Sequence, residues 1–227
     1  MQAEPQGVES VAAVATVAIN EIFVSIQGES THAGKPCVFL RTMGCPLRCT
    51  WCDTEYAFHE GSPWTIDDLV DEATRHGVPL VEITGGEPLV QPAVPELARR
   101  LVEEGLTVLV ETSGAYDISV LPDQVGRIMD LKCPGSGEVE SNDFGNIARL
   151  RDGDEVKFVL ANRVDYEWAR DRVAEYDLTS RVPVLFSPVW DQLPPADLAA
   201  WLLEDNLGVT LQLQLHKILW PDIERGV

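Results

Sequence analysis

Three of the five cysteines lie close together, in the order Cys45-Pro-Leu-Arg-Cys49-Thr-Trp-Cys52. Thiolates are the soft ligands that iron–sulfur clusters and zinc both select. A C-x3-C-x2-C spacing lets one short loop hold three corners of a four-iron cluster, which needs four ligands. The fourth iron is then open to a chelating ligand, and S-adenosylmethionine offers an amino group and a carboxylate.

A zinc site is the alternative for the same cysteines. Closed structural zinc sites usually pair two C-x2–4-C units, whereas this chain has a single triple. A fourth ligand would have to come from Cys37, Cys133 or His59. Cys37 lies in an apolar run and is most simply a small buried hydrophobe, and Cys133 is either structural or lines the site. The spacing therefore favours the cluster with one open iron.

The elements that must position these cysteines alternate between strand and helix. Apolar, β-branched segments predict strands at 36–42, 80–84, 107–111, 127–131, 155–160 and 182–187, a seventh at 209–215, and an edge strand or N-terminal hairpin at 21–26. Helical patterns lie at 65–74, 94–104, 166–175 and 195–204. The alternation predicts an α/β fold with a mostly parallel sheet. About six strands make an incomplete barrel with helices outside, since a full eightfold barrel needs about 250 residues.

The loops after the predicted strands carry the unusual residues. The three cysteines follow the first strand, and the next loops hold Gly85-Gly86-Glu87-Pro88, Glu111-Thr112-Ser113-Gly114 and Lys132-Cys133-Pro134. In parallel α/β folds the carboxyl ends of the strands form the active face. We therefore expect all four loops to meet at one site.

Composition limits the classes of function. Seventeen basic and thirty-seven acidic residues give a net charge of −20. Such a surface repels nucleic acid and anionic membranes, so a small-molecule substrate is expected. No apolar run approaches the ~18 residues of a membrane span, and Glu4 and Glu9 argue against a secretion signal. We expect a cytoplasmic protein with a flexible tail at 1–16 and one domain at 17–227.

The cysteine triple followed by Gly-Gly-Glu-Pro resembles the radical S-adenosylmethionine superfamily. The resemblance extends from about residue 20 to the end and narrows to the 7-carboxy-7-deazaguanine synthase family. It rests on Phe23-Val-Ser-Ile-Gln-Gly-Glu29, Arg41, Cys52-Asp-Thr54, Asp130-Leu-Lys-Cys-Pro-Gly-Ser136 and Gln214-Leu-His-Lys217. It implies a partial radical-SAM barrel. Because Glu55 to Ser62 is short, we expect the superfamily helix there to be reduced.

The resemblance also implies the ligands and the residues that bind them. Cys45, Cys49 and Cys52 would hold a 4Fe–4S cluster, and Thr54 would bind Mg²⁺. S-adenosylmethionine would contact Trp51, Cys52, Asp53, Gly85, Gly86, Glu87, Glu111, Ser113 and Lys132. An anionic pterin substrate would contact Ile26, Gln27, Gly28, Glu29, Arg41, Thr84, Gln214, His216 and Val227.

Several of these residues also have plain structural interpretations. Thr54 could cap the next turn, Glu87 could orient its own loop, and Glu111 could make a structural hydrogen bond. Gly-Gly-Glu-Pro alone is typical of a β-turn. No general base is evident.

The implied activity is a lyase reaction of queuosine and 7-deazapurine biosynthesis. It would convert 6-carboxy-5,6,7,8-tetrahydropterin to 7-carboxy-7-deazaguanine with loss of ammonia. The enzyme would be a homodimer that receives electrons from a one-electron donor such as a flavodoxin.

The chain departs from the family pattern in two places. Ser30 stands where Gly often follows Gln-Gly-Glu, and the segment from Lys132 to Ser136 matches only one family variant. One alternative is a glycyl-radical-enzyme activase, against which the Gln-Gly-Glu segment and the Gln-x-His-Lys ending argue. The other is a non-catalytic iron–sulfur or zinc module.

Overall fold

A computed structural model describes residues 15–227 of the chain. Of the expected tail at 1–16, residues 1–14 lie outside the described part. Thr16 already belongs to the first strand, because it pairs with Thr65.

The described residues form one nine-stranded sheet. Its strands are β1 (Thr16–Ile26), β2 (Pro36–Thr42), β3 (Ser62–Thr65), β4 (Leu80–Gly85), β5 (Thr107–Thr112), β6 (Gly126–Asp130), β7 (Glu155–Leu160), β8 (Val184–Pro188) and β9 (Thr210–Leu211). Their spatial order is β3-β1-β2-β4-β5-β6-β7-β8-β9. From β2 to β9 every neighbouring pair is parallel, and only the β1–β2 and β1–β3 pairs are antiparallel. The sheet is open, with β3 and β9 at its edges, so the predicted partial barrel is confirmed.

The structure differs from the predicted strands at both edges of the sheet. The β3 strand was not predicted, since Ser-Pro-Trp-Thr has no apolar alternation and Pro63 suits only an edge strand. At the other edge, the predicted strand 209–215 shortens to the two residues of β9. The chain then turns into a short helix at 215. Between Glu55 and Phe58 there is a single 3₁₀ turn, which agrees with a reduced helix in that region.

Five α-helices lie within residues 15–227, of which the first four connect strands and the fifth follows β9. They are α1 (Ile66–Thr74), α2 (Val94–Glu103), α3 (Arg163–Glu175), α4 (Pro195–Asp205) and α5 (Leu215–Leu219). Thr65 caps α1 by accepting from the amide of Asp68, and Asn162 caps α3 in the same way. In this part of the chain, none of the helices has the combination of length and apolar character that crossing a bilayer requires.

The two faces of the sheet bury different kinds of residue. The outer face packs against α1 and α2 through one apolar cluster, and against α3 and α4 through a second. The inner face starts with a small apolar cluster that includes Leu80, Leu109 and Ile128. Because side chains alternate along a strand, the next inward positions on these three strands are Glu82, Glu111 and Asp130. The inner face thus changes from apolar to charged towards the carboxyl ends of the strands.

Candidate active site

A cavity of about 690 Å³ lies on the inner face, at the carboxyl ends of the strands. Pockets for small molecules typically measure about 300–1,000 Å³. Its lining includes all but one of the residues predicted for the cluster, the metal ion, the cofactor and the substrate: Ile26, Gln27, Gly28, Glu29, Arg41, Cys45, Cys49, Trp51, Cys52, Asp53, Thr54, Thr84, Gly85, Gly86, Glu111, Ser113, Lys132, Gln214, His216 and Val227. The exception is Glu87, which is fully buried behind the wall.

The cysteine loop, residues 44–54, forms one wall of this cavity. It is irregular, so its shape depends on hydrogen bonds to other segments. The amide of Thr50 donates to the carbonyl of Ser136 (3.0 Å), and the Thr50 hydroxyl donates to the carbonyl of Gly135 (2.8 Å). The amide of Arg48 donates to the Glu138 carboxylate (2.6 Å). The segment after β6, which was predicted to contact the cofactor, therefore also supports the cysteine loop from behind.

Two glycines let the end of β4 and the loop after it pack closely against the end of β2 and the cysteine loop. A Cβ atom on Gly85 would lie 2.4 Å from the carbonyl oxygen of Thr42, and one on Gly86 would lie 2.6 Å from the Cβ atom of Cys45. Gly85 also has φ +147°, which favours glycine. A larger residue at either position would push these segments apart. The glycines therefore serve the packing of the cysteine loop as well as the opening of the cavity.

The donor set fits a cluster held by three thiolates. Cys45, Cys49 and Cys52 are half-buried and not in disulfides, whereas Cys37 and Cys133 are buried elsewhere and do not line the cavity. Within residues 15–227, no three His, Cys, Asp or Glu side chains converge closely enough to hold a single metal ion. This geometry disfavours the closed zinc site. Burial raises the pKa of the Cys49 thiol to about 11, so binding of a cluster would release protons.

Asp130 gives independent evidence that this wall is built for a ligand. Its Oδ2 atom accepts from the Lys132 ammonium (2.7 Å), but its buried Oδ1 atom has no partner in the described part of the chain. Both residues line the cavity. An unpaired buried oxygen is costly unless a bound group supplies a donor.

The Thr54 side chain lines the cavity beside the cysteine loop. Thr54 precedes the 3₁₀ turn at Glu55–Phe58, but its hydroxyl makes no capping hydrogen bond. Instead Oγ1 forms a long hydrogen bond of 3.7 Å with the Sγ atom of Cys52, in which either atom can donate. The capping interpretation of Thr54 therefore does not account for its side chain. The neighbouring Asp53 pairs with Lys217 of α5 (2.7 Å).

Ionisable side chains on three strands and on the turn after β1 form the floor of the cavity. We use the name charged floor for Glu29, Glu82, Glu111 and Lys157. The Lys157 ammonium lies between Glu29 (2.8 Å) and Glu111, and Thr84 donates to Glu111 (3.3 Å). Burial alone would raise the pKa of Glu29, but Lys157 and Gln214 lower it to about 2. Burial would likewise lower the pKa of Lys157, yet Glu111 and Glu29 raise it well above its usual value. Both groups are therefore charged at neutral pH.

Arg41 retains hydrogen-bonding capacity towards the cavity. Its Nε atom donates to Glu21 (2.7 Å), and its guanidinium lies near the rings of Phe23 and Tyr56. Among the described residues, the two terminal nitrogens have no hydrogen-bond partner. The Arg41 side chain is only 14% exposed, so Glu21 and the rings hold it in place for an anion.

Glu87 does not reach the cavity, although it was predicted to contact the cofactor. Its carboxylate accepts from the Leu89 amide (2.9 Å), the Thr112 hydroxyl (2.9 Å), and both the amide (2.7 Å) and the hydroxyl (2.5 Å) of Ser113. These bonds join the loop after β4 to the end of β5. The structure thus favours the interpretation in which Glu87 orients its loop, while Ser113 is the residue that faces the cavity.

The C-terminal segment covers one side of the cavity. The amide of Leu215 donates to the carbonyl of Gly28 (3.0 Å), and Gln214 donates to Glu29 (2.9 Å). Burial lowers the pKa of His216, so its imidazole is neutral at pH 7. Val227 also lies along the lining.

Sequence reasoning missed several residues that line this cavity. Glu82 and Lys157 interrupt otherwise apolar strands, and Asp130 ends β6. The sequence does mark these three residues, because each is a charged residue at an inward position of a buried strand. Trp190 and Trp220 also line the cavity but follow β8 and α5, where no motif marks them.

Comparison with known proteins agrees with this geometry. Residues 39–134 match the Radical SAM superfamily. The chain is 43% identical to a 7-carboxy-7-deazaguanine synthase from Koribacter versatilis over 92% of this chain and 99% of that protein. It is 42% identical to a protein of the same name from Chlorobaculum tepidum, over 92% of this chain and 96% of that one. The crystal structure of QueE from Escherichia coli shares the fold, with a TM-score of 0.74 and 23% identity, covering 88% of this chain and 94% of that one.

Proposed function

The chain belongs to the 7-carboxy-7-deazaguanine synthase family of the radical S-adenosylmethionine superfamily, and we propose that it converts 6-carboxy-5,6,7,8-tetrahydropterin to 7-carboxy-7-deazaguanine with loss of ammonia. This is a carbon–nitrogen lyase reaction of queuosine and 7-deazapurine biosynthesis. One observation supports this proposal more strongly than any other. A single cavity places three free thiols on one wall and a floor of paired charges beneath them.

Membership of the superfamily implies a 4Fe–4S cluster and S-adenosylmethionine. When bound, they supply a 5′-deoxyadenosyl radical that can take hydrogen from the carbon bearing the substrate carboxylate. The residues that would hold the cluster are Cys45, Cys49 and Cys52. Lys132 and Ser113, on neighbouring strand ends, would bind the polar groups of S-adenosylmethionine. Asp130, with its unpaired oxygen, would accept a hydrogen bond from the same ligand.

Arg41 and Gln27 would bind the substrate. The free terminal nitrogens of Arg41 suit a carboxylate, which guanidinium groups bind in a two-pronged geometry. Gln27 offers a carboxamide to the edge of the pyrimidine ring. Aromatic side chains on the walls, among them Phe23 and Tyr56, give a flat heterocycle apolar faces to stack against.

We extend the proposal to Mg²⁺ at Thr54. The uncapped hydroxyl of Thr54 lies beside the thiol of Cys52 and faces the cavity. One hydroxyl suffices because Mg²⁺ keeps several waters and shares ligands with an anionic substrate. The role of Thr54 would be to orient the substrate carboxylate through the ion.

The C-terminal segment would keep water out of the closed site. It is tied to the turn after β1 by the Leu215–Gly28 hydrogen bond and to the cysteine loop by the Lys217–Asp53 ion pair. These ties hold Gln214 and His216 over the charged floor. A neutral His216 can donate one hydrogen bond and accept another.

We also propose a cytoplasmic location, a one-electron donor such as a flavodoxin, and a homodimer. The location is supported by three free, half-exposed thiols, which need a reducing compartment. The proposals of the electron donor and of the homodimer rest on the family alone.

The two alternative functions, a glycyl-radical-enzyme activase and a non-catalytic metal module, are not favoured. The named relatives are synthases, and the other two cysteines lie away from the cavity.

The test is an anaerobic reaction with matched substrates. The reconstituted protein would receive S-adenosylmethionine, reductant, Mg²⁺ and 6-carboxy-5,6,7,8-tetrahydropterin, with the 6-hydroxymethyl analogue as control. We expect 7-carboxy-7-deazaguanine from the first substrate only. Release of 5′-deoxyadenosine without that product would reject the proposed substrate and retain the superfamily chemistry. Thr54→Ala is expected to keep the cluster's absorbance and lose the dependence on Mg²⁺.

A further inference from the structure

Glu82 occupies an unusual position for a carboxyl group. It lies in the middle of β4, is only 3% exposed, and its register neighbours on β2 and β5 are Phe39 and Leu109. An apolar residue would suit such neighbours better, because burying a carboxyl group costs free energy unless it is hydrogen bonded. Within residues 15–227 the one hydrogen-bond partner of its carboxyl group is the side-chain amide of Gln27.

The contacts of Gln27 leave only one orientation for its carboxamide. One end of the amide lies 2.7 Å from the backbone nitrogen of Glu29. A backbone N–H can only donate, so that end must be the oxygen. The Nε2 end therefore faces Glu82 and donates to its Oε2 atom. Gln27 is itself 3% exposed, so both ends of a buried amide are held.

We propose that Glu82 is a positioning residue that fixes the carboxamide of Gln27 for recognition of the pterin ring. This rests on the proposed function, in which Gln27 binds the substrate. Nε2 carries two hydrogens, and Glu82 accepts one of them, which leaves the other for a ligand. With Glu82 removed, Nε2 would lose its buried acceptor, and the bond from the Glu29 amide alone would hold the side chain.

The surroundings of Glu82 favour its uncharged form. Burial, together with the nearby Glu111 and Glu29, raises the pKa of Glu82 well above its usual value, against the opposing charges of Lys157 and Arg41. A protonated carboxyl group still accepts at its other oxygen. Glutamine offers the same acceptor at nearly the same size, whereas leucine offers none. Glu82→Gln is therefore the matched control for Glu82→Leu.

The test is a double-mutant cycle on substrate binding. The dissociation constant of 6-carboxy-5,6,7,8-tetrahydropterin would be measured anaerobically by equilibrium dialysis against the cluster-loaded protein with S-adenosylmethionine. The variants are Glu82→Leu, Glu82→Gln, Gln27→Leu and the Glu82→Leu/Gln27→Leu double variant. Iron content and the thermal unfolding midpoint show that each variant is folded and loaded.

We expect Glu82→Leu to weaken binding about tenfold or more, as expected when a buried donor loses its partner. Glu82→Gln should stay within about twofold of the unmodified protein, and the double variant within about twofold of Gln27→Leu. Losses that multiply in the double variant would mean that Glu82 acts independently of Gln27, and the inference would fail. It also fails if Glu82→Gln binds as weakly as Glu82→Leu, or if Glu82→Leu binds normally. If the unmodified protein does not bind the pterin, the proposed function itself fails.

Discussion

The cysteine loop and the charged floor face each other across one cavity, but they are built in different ways. The loop has no regular structure and takes its shape from hydrogen bonds to the segment after β6, notably through Thr50. The floor is set mainly by strand register, which brings Glu82 of β4, Glu111 of β5 and Lys157 of β7 to the inner face of the sheet. The loop can therefore be altered locally, whereas a change in the floor affects charges that depend on one another.

The largest expected effect separates the three loop cysteines from the other two. Cys49→Ala should abolish both the cluster and product formation, because a two-thiolate site cannot replace the missing ligand. Iron content and visible absorbance after anaerobic reconstitution measure this. The matched control is Cys133→Ala, which alters a cysteine buried away from the cavity. If Cys133→Ala lost the cluster and Cys49→Ala kept it, the assignment of the ligands would be wrong.

The next effect tests the interdependence of the floor charges. Lys157→Met would leave Glu29 and Glu111 without their shared cation, and the Lys157 side chain is only 6% exposed. Removing one partner of a buried pair typically costs about 3–5 kcal/mol of unfolding free energy. Urea unfolding would measure this loss. Arg100→Met, which breaks the surface pair with Asp67, should cost less than about 1 kcal/mol. Equal losses in the two variants would contradict the account of the floor.

A smaller effect tests how the loop is held. Thr50→Val keeps the shape of the side chain and removes the hydroxyl that donates to Gly135. One such bond is worth about 1 kcal/mol, so a chelator should remove iron roughly fivefold faster. Thr50→Ser retains a hydroxyl and should behave like the unmodified protein. Chelation at the same rate in all three proteins would show that this bond does not hold the loop.

The smallest effect concerns pH and the segment that covers the floor. Burial lowers the pKa of His216 below 6.5, so the unfolded chain binds the proton more readily than the folded one. Stability from this group is therefore present above pH 6.5 and lost as the pH falls below it. His216→Gln should flatten this part of the curve in urea unfolding between pH 7.5 and 5.5. An unchanged slope would rule out the contribution of His216.

The same contrast explains which parts of the site could be predicted from the sequence. The cysteine spacing and Gly85-Gly86 are local patterns, so the residues of the loop wall were found. Glu82 and Lys157 look like isolated charges in apolar strands, and their partners depend on register and on a turn far along the chain. The edge strand β3 was missed for a related reason, since its pairing with β1 is not encoded in its own four residues. Glu87 was expected to contact the cofactor because it belongs to the Gly-Gly-Glu-Pro motif of the resemblance, but its carboxylate points back towards β5.

The central claim is that the cysteine loop and the charged floor act together on one substrate. The ratio of product formed to S-adenosylmethionine consumed tests this claim most directly. The reconstituted protein would be incubated anaerobically with limiting S-adenosylmethionine and excess 6-carboxy-5,6,7,8-tetrahydropterin. Both the 7-carboxy-7-deazaguanine formed and the S-adenosylmethionine consumed would be quantified. We expect many molecules of product for each S-adenosylmethionine lost, because the conversion is redox-neutral overall and the substrate-derived radical would take its hydrogen back from 5′-deoxyadenosine, which would regenerate the cofactor. Accumulation of 5′-deoxyadenosine with no 7-carboxy-7-deazaguanine would contradict the account.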